Sequence, residues 1–316
     1  MLYDIYGNKI EYTNNSKNED LLDGKKWLPI GDSITTGGGY RGTMLNFYGL
    51  SEIGGGYADG RQVSYSSGAN SCALEHLNDI ADGIPDVITI ALGTNDYGNS
   101  CPLGSIEDSP DEQTVDSFTF YGCYRKLVEY LSVKYPEIPI VLLTPFQRVG
   151  GASKNSDGHT LADYAEAIKS IGNFYSLPVC DIYAQSGLSI GTISDVTKAY
   201  TSDGLHPVAY AARVIAPKIA DTMSLALDRA DIKCTYLNMS NGGSYTLTST
   251  NPQRIYVVSD GNQRIHWQST NENVVKVAAE RLYIYANITA VSNGIAEVEA
   301  RCGDVVAHFN ITVALT

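Results

Sequence analysis

Short, nearly unbroken apolar runs alternate with stretches of helical period from about Trp27 to Ala230. Trp27 to Ile30, Val63 to Tyr65, Val87 to Leu92, Ile138 to Leu143 and Val179 to Ile182 are the predicted strands. The runs at Val87 and Ile138 are almost continuously apolar, as parallel strands covered on both faces must be. Helical patterns fall between or after them, most clearly at Val115 to Lys134, Leu161 to Tyr175 and Pro207 to about Leu227. Pro207 suits a first helical turn, where its missing N–H would have no partner anyway. Strands alternating with helices predict an α/β fold, an open parallel sheet with helices on both faces. Ligands of such sheets bind at the carboxyl ends of the strands.

After about Asp231 the period shortens to two. Alternating runs at Tyr245 to Thr248, Ile255 to Val258, Val274 to Val277, Ile295 to Val298 and Val306 to Val313 are separated by turn formers such as Asn241-Gly242-Gly243 and Asp260-Gly261. This predicts a small antiparallel sandwich. The residues up to about Lys26 are polar and without strong period. The expected organisation is therefore a lead-in segment (1–26), an α/β domain (27–230) and an all-β domain (231–316), reasonable for 316 residues.

Composition narrows the partners. Lys and Arg total 22 against 35 Asp and Glu, a formal charge of -13. No basic cluster interrupts this acidic balance, so nucleic acid and anionic lipid surfaces are disfavoured and neutral substrates fit better. No run of 18 apolar residues predicts a membrane span. Met1 to Ile10 shows neither a basic start nor an apolar core, so no signal peptide is visible; a chain already trimmed of a leader has the same look. The cysteines (Cys72, Cys101, Cys123, Cys180, Cys234, Cys302) are scattered and form no C-x-x-C pair, which argues against zinc and against a disulfide scaffold. They read as small buried thiols, with pairing of Cys234 and Cys302 left open. His76, His159, His266 and His308 have no metal-ligand spacing in the sequence, and no metal or cofactor is expected.

Four segments carry candidate chemistry, each where a predicted strand ends or a helix begins. Gly31-Asp32-Ser33-Ile34-Thr35 places a serine at the ligand-binding edge of the sheet, although a helix N-cap serine is equally ordinary there. Ser67-Gly68-Ala69-Asn70-Ser71 offers a glycine whose N–H a ligand can approach closely. Gly93-Thr94-Asn95-Asp96 puts an amide side chain where it can donate to a developing oxyanion, or simply make an Asx turn. Asp203-Gly204-Leu205-His206-Pro207 sets a carboxylate three residues before an imidazole, a spacing at which the acid can fix the tautomer while the other nitrogen acts as base. The order Ser, Asp, His is that of other α/β serine hydrolases.

Taken together and in this order, the segments resemble blocks I, II, III and V of the SGNH (GDSL-type) hydrolases over roughly Trp27 to Leu227. The resemblance implies a flavodoxin-like three-layer α/β sandwich and a serine esterase. It assigns Ser33 as nucleophile, His206 as general base and Asp203 as its orienting acid. The oxyanion hole it implies comprises the N–H groups of Ser33 and Gly68 and the Asn95 amide, with Gly54 to Gly56 as competitors for the place of Gly68. Asp96 is expected to brace the Asn95 loop. The run Gly37-Gly38-Gly39-Tyr40-Arg41-Gly42 has the spacing of a dinucleotide fingerprint, with Asp59 about twenty residues on. That motif needs its first glycine at the turn leaving the strand, which Gly31-Asp32-Ser33 already occupies. We read the run instead as a flexible loop shaping the cleft. Arg41 and Arg148 are further candidates for the cleft wall.

Leu28 to Thr35 followed by Gly39 to Gly42 is most similar to carbohydrate esterases, particularly acetylxylan esterases, so an acetylated glycan or small acyl ester is the expected substrate. A lipase or thioesterase of the same fold and a non-catalytic surface or phage-tail protein are the alternatives. The stretch from Ile265 to Val277 and Ile288 to Ala296 is similar to bacterial immunoglobulin-like domains of group 2, without the glycine that usually precedes the Ile-Thr-Ala-Val run. This implies a spacer or attachment role at a cell surface or virion, hence a secreted, surface or phage location.

Overall fold

The computed structural model of the protein describes residues 21–37, 39–65, 72–188, 199–228, 237–239, 243–259, 265–279, 285–302 and 304–315. The chain divides into two compact units, Met1–Asp228 and Arg229–Thr316.

The first unit is built on five parallel strands: β1 (Lys26–Gly31), β2 (Ser51–Glu52), β3 (Val87–Ala91), β4 (Ile140–Leu143) and β5 (Val179–Cys180), in the order β2-β1-β3-β4-β5. Alternate side chains of these strands feed two separate cores, because successive residues of a strand point to opposite faces. Leu28, Ile30, Ile88, Ile90 and Leu142 pack with Phe120, Tyr124, Leu127, Leu161 and Ile168 of helices α4 (Phe120–Lys134) and α5 (Leu161–Tyr175). Trp27, Val87, Val141 and Leu143 pack on the other face with Tyr40 and Met44 of α2 (Gly39–Asn46) and Ile215 and Ile219 of α7 (Ala209–Leu227). The three-layer α/β sandwich expected from the run pattern is the observed architecture. Packing begins before Trp27, since Leu22 is fully buried in the second of these cores.

Five local expectations are corrected. Val63 to Tyr65 is not a strand: the N–H groups of Val63 and Ser64 go to the Asp96 carboxylate, so no ladder forms, and Ser51–Glu52 takes the place beside β1. The helix expected from Val115 starts at Phe120, where Thr119 Oγ1 caps the Gly122 N–H, because Thr114 and Ser117 close a turn on each other first. Pro207 is not in the last helix; it pairs with Thr201 in an isolated bridge, and Val208 precedes the first turn. From Gly39 on, the glycine run is helix α2 rather than a loop, and Gly38 lies outside the described residues. A Cβ at Gly39 would lie 2.4 Å from the Ala212 Cβ, so the glycine serves close packing of α2 on α7. Ile182, expected at the end of the last strand, opens the short helix α6 (Ile182–Gln185).

The second unit is all β. Its sheets have the orders β10-β11-β8-β6 and β7-β13-β12-β9. They comprise β6 (Leu237–Met239), β7 (Ser244–Leu247), β8 (Gln253–Ser259), β9 (Ile265–Ser269), β10 (Val275–Ala279), β11 (Tyr285–Ala290), β12 (Gly294–Cys302) and β13 (Val305–Val313). Ile255, Val257 and Ile288 of one sheet share a core with Val298, Ala300, Phe309 and Ile311 of the other. The sandwich is as expected, with one departure from an antiparallel arrangement: β7 runs parallel to β13. Some sixty residues separate these strands, so no hairpin constrains their direction. Cys302 is buried in this core, and Cys234 lies outside the described residues.

Candidate active site

The first component is the turn that leaves β1. Gly31 is required there, because a Cβ would meet Thr35 Oγ1 at 2.1 Å. Asp32 caps the four-residue helix α1 (Ser33–Thr36), its Oδ1 accepting the Ile34 N–H at 2.9 Å, and Ser33 is thereby held at the first helical position. Asp32 is buried, and this pushes its carboxyl up to about 7. The Ile34 N–H pulls it partly back, and nearby Asp96 adds to the rise.

The second component is the loop before α7. Asp203 Oδ1 accepts the N–H groups of Leu205 at 2.9 Å and His206 at 2.8 Å, which curls the four residues into one turn with Gly204 at φ +89°. Asp203 Oδ2 meets His206 Nδ1 at 2.7 Å, and His206 Nε2 meets Ser33 Oγ at 2.8 Å. The His206 N–H, then the His206 ring and the Leu205 N–H, hold the Asp203 carboxyl well below the usual carboxylate range. An ionised Asp203 demands a proton on Nδ1, which leaves Nε2 to accept from the serine hydroxyl. The turn is tied to the end of β4 through the Val149 N–H, which donates to the Gly204 carbonyl at 2.7 Å. The structure thus brings Ser33, His206 and Asp203 into one hydrogen-bonded chain.

The third component follows β3, where Gly93 adopts φ +125° and the short helix α3 (Thr94–Gly98) begins. Asn95 Nδ2 donates to the Arg61 carbonyl at 2.9 Å, a bond that occupies one of its two amide hydrogens. Asp96 anchors the Asn95 loop, as expected, through bonds to a distant segment. Fully buried, it accepts from Val63 and Ser64 at 3.2 and 2.9 Å and so fixes the segment leading toward Gly68. Burial pushes Asp96 up to about 6, and the Ser64 and Val63 N–H groups oppose that rise. Gly68 lies outside the described residues. Two of its competitors serve backbone packing: a Cβ at Gly55 would strike the Asp79 carbonyl, and one at Gly56 the Pro29 carbonyl, whereas a Cβ at Gly54 would meet nothing within 4 Å.

The sequence reading missed the buried cap Asp32, the Arg61 carbonyl and the true partners of Asp96. Of these only Asp32 had a local signal, the cap spacing to Ile34. Arg41 is engaged, pairing with Glu52 at 3.4 Å and lying over the Tyr57 ring. Arg148 reaches the Thr94 carbonyl. A pocket of about 220 Å³ opens beside Ser33 and His206, walled by Gly37, Gly39, Ser202 and Ala212 among others. A smaller cavity of about 30 Å³ lies beside the turn that leaves β1, where Asp32 and Thr94 are among the lining residues. Thr94 Oγ1 is buried without a hydrogen-bond partner, and the cavity has room for a water molecule. In the other unit Glu297, Glu299 and His308 place one potential metal-ligand atom each within 4.8 Å, a grouping hidden from sequence spacing because it spans two strands. His308 Nδ1 already meets Glu297 there at 2.9 Å. Among the described residues no helix is long and apolar enough to cross a membrane.

An α/β sandwich with serine, imidazole and carboxylate hydrogen-bonded in series at the sheet edge defines a hydrolase class, and the comparisons specify it. The chain belongs to the GDSL-like Lipase/Acylhydrolase family, whose model matches residues 30–214. This places the domain among the carboxylic ester hydrolases. The chain is 29% identical over 224 residues to a multidomain esterase of Ruminococcus flavefaciens, covering 58% of this chain but only 26% of that esterase. A crystal structure of a Lactobacillus plantarum protein is similar at 25% identity and TM-score 0.53, covering 63% of this chain and 96% of that one. Another crystal structure matches at 25% identity and TM-score 0.54, covering 65% and 98%.

Proposed function

We propose that this protein hydrolyses short acyl esters, chiefly acetyl esters of carbohydrate, through an acyl-enzyme on Ser33. The observation that carries the reading is the unbroken series from Ser33 Oγ through His206 to Asp203, at 2.8 and 2.7 Å. A serine hydroxyl is a weak nucleophile until an adjacent base takes its proton. His206 Nε2 is within reach of that proton, and Asp203 stabilises the imidazolium that forms. Ser33 Oγ attacks the ester carbonyl carbon, and the carbonyl oxygen becomes an oxyanion. The Ser33 N–H, the free hydrogen of the Asn95 amide and the Gly68 N–H are its proposed donors, each worth about 3 kcal/mol in the transition state. His206 then gives the proton to the departing alcohol oxygen. Water, activated by the same imidazole, releases the acid and restores Ser33.

The carbohydrate assignment is supported by the similarity of Leu28 to Thr35 and Gly39 to Gly42 to carbohydrate esterases. The immunoglobulin-like sandwich, from about residue 231, is proposed as a spacer or attachment module that presents the catalytic domain (about 27–230) to a surface polymer.

The test is hydrolysis of p-nitrophenyl acetate by the wild type and by Ser33→Ala. The expected loss in kcat is about four orders of magnitude or more, since removing the nucleophile disables the triad as a unit. A wild type without activity would favour a binding protein of the same fold. Equal or faster hydrolysis of p-nitrophenyl palmitate would instead mark a long-chain lipase.

A further inference from the structure

The pocket beside Ser33 has a direction. Its wall includes Ser33 and His206 together, continues over Ser202 and Pro207, and is completed by Gly37 and Ala212. Small residues, Gly37, Gly39, Ser202 and Ala212, leave room between the larger Ile34 and Tyr40 that also line it. Where α2 meets α7 the space a side chain of residue 39 would fill is taken by Ala212. Ser202 forms the exposed lip, its N–H and hydroxyl both directed to the His206 carbonyl, at 2.8 and 3.4 Å.

Which half of the ester lies there follows from the proton. After Ser33 Oγ bonds to the carbonyl carbon, the bond to the alcohol oxygen breaks, and that oxygen must receive the proton His206 took from the serine. The alcohol oxygen therefore has to lie against Nε2, within hydrogen-bond reach. The oxyanion faces the Asn95 side, and the acyl substituent, fixed by the tetrahedral carbon, points away from the imidazole. A pocket sharing its wall with His206 and the loop around it is on the alcohol side. We infer that this pocket is the leaving-group subsite, that it takes an alcohol of about the size of a monosaccharide ring, and that Ser202 sets its upper limit. The inference rests on the proposed role of Ser33 and His206, and it locates specificity in the alcohol rather than in the acyl chain. With about 220 Å³ available, a six-membered ring enters without rearrangement. Hydroxyls on that ring would meet the polar lip and the exposed backbone at Gly37, and its carbon face would lie against Ile34, Tyr40 and Pro207.

The test separates the two halves of the ester. Full-length wild type and Ser202→Phe are assayed on methyl acetate, methyl butyrate and cyclohexyl acetate, and ratios of kcat/KM are compared. Filling the lip is expected to lower the ratio of cyclohexyl acetate to methyl acetate by about tenfold or more, the scale of steric discrimination in a shaped pocket. The ratio of methyl butyrate to methyl acetate stays as in the wild type. Ser202→Leu gives a smaller fall in the same direction, and matching unfolding temperatures verify that both variants are folded. A fall in the butyrate ratio with the cyclohexyl ratio unmoved would overturn the inference, since the pocket would then hold the acyl chain. No change in either ratio would overturn it too, because the pocket would hold no part of the ester. A wild type whose ester hydrolysis survives Ser33→Ala would refute the proposed function instead.

Discussion

Asp32 shows how one buried carboxyl links the site to stability. Its carboxyl titrates near 7 in the folded chain, against 3.8 when free of burial. Between those values the folded state holds a proton the unfolded state has released, so stability falls as pH rises. The slope is about 1.4 kcal/mol per pH unit at most, and the loss is complete above about pH 7. Asp32→Asn keeps an acceptor for the Ile34 N–H and removes the ionisation. We therefore expect the variant to gain unfolding temperature over the wild type as pH is raised from about 5 to about 8. Asp96 leaves a residual slope, because it is pushed to about 6 by the same burial. A difference in unfolding temperature that is constant across this range would contradict the assignment. Of the proposed site residues, Ser33, Asp203 and His206, which form one hydrogen-bonded chain, stand in short segments whose local geometry is set by turns within a few residues. The partners of Asn95 and Asp96 were not legible in this way. Arg61 and Val63 lie more than thirty residues away, and nothing in their sequence neighbourhood announces a bond to α3.

Elements were legible where one physical signal decided them and misread where two competed. Leu161–Tyr175 came out as expected because its period agrees with a capping box formed by Thr160 and Asp163. Val63 to Tyr65 had the composition of a strand, yet a buried carboxylate captured its amides. The glycine run concealed a helix because glycine has low helix propensity, while its reason for being there is the tertiary contact of α2 with α7. That contact is testable. Gly39→Ala brings a methyl group to 2.4 Å from Ala212 and is expected to destabilise the protein by about 1–3 kcal/mol. Adding Ala212→Gly should recover part of the loss. A double-mutant cycle by urea unfolding measures the coupling, and additive effects would rule out the steric account.

On the scale of the whole molecule, the change from a helical period to alternation near Asp231 lies close to the division at Asp228. Among the described residues the buried core of the β unit runs from Leu247 to Val313, with Leu237 and Tyr245 packed against it. Phe309→Ala removes a fully buried ring from it and is expected to cost about 3–5 kcal/mol of stability. The loss should fall on one calorimetric transition, with hydrolysis of p-nitrophenyl acetate at moderate temperature unchanged. A parallel loss of esterase activity would mean that the two units depend on each other for folding. The parallel pairing of β7 with β13 was illegible in the pattern, since alternation records which face a residue occupies and not the direction of the neighbouring strand.

The acid and the base of the triad share a single four-residue turn, whereas the serine stands 173 positions earlier in the chain. One of the two hydrogen bonds of the proposed triad is therefore local and travels with the turn as a rigid piece. The other, from Nε2 to Oγ, depends on the rest of the fold. A competent enzyme and an idle one can differ in that single coordinate, so whatever shifts the Gly204 anchor at Val149 acts as a throttle on the reaction without touching any reacting atom.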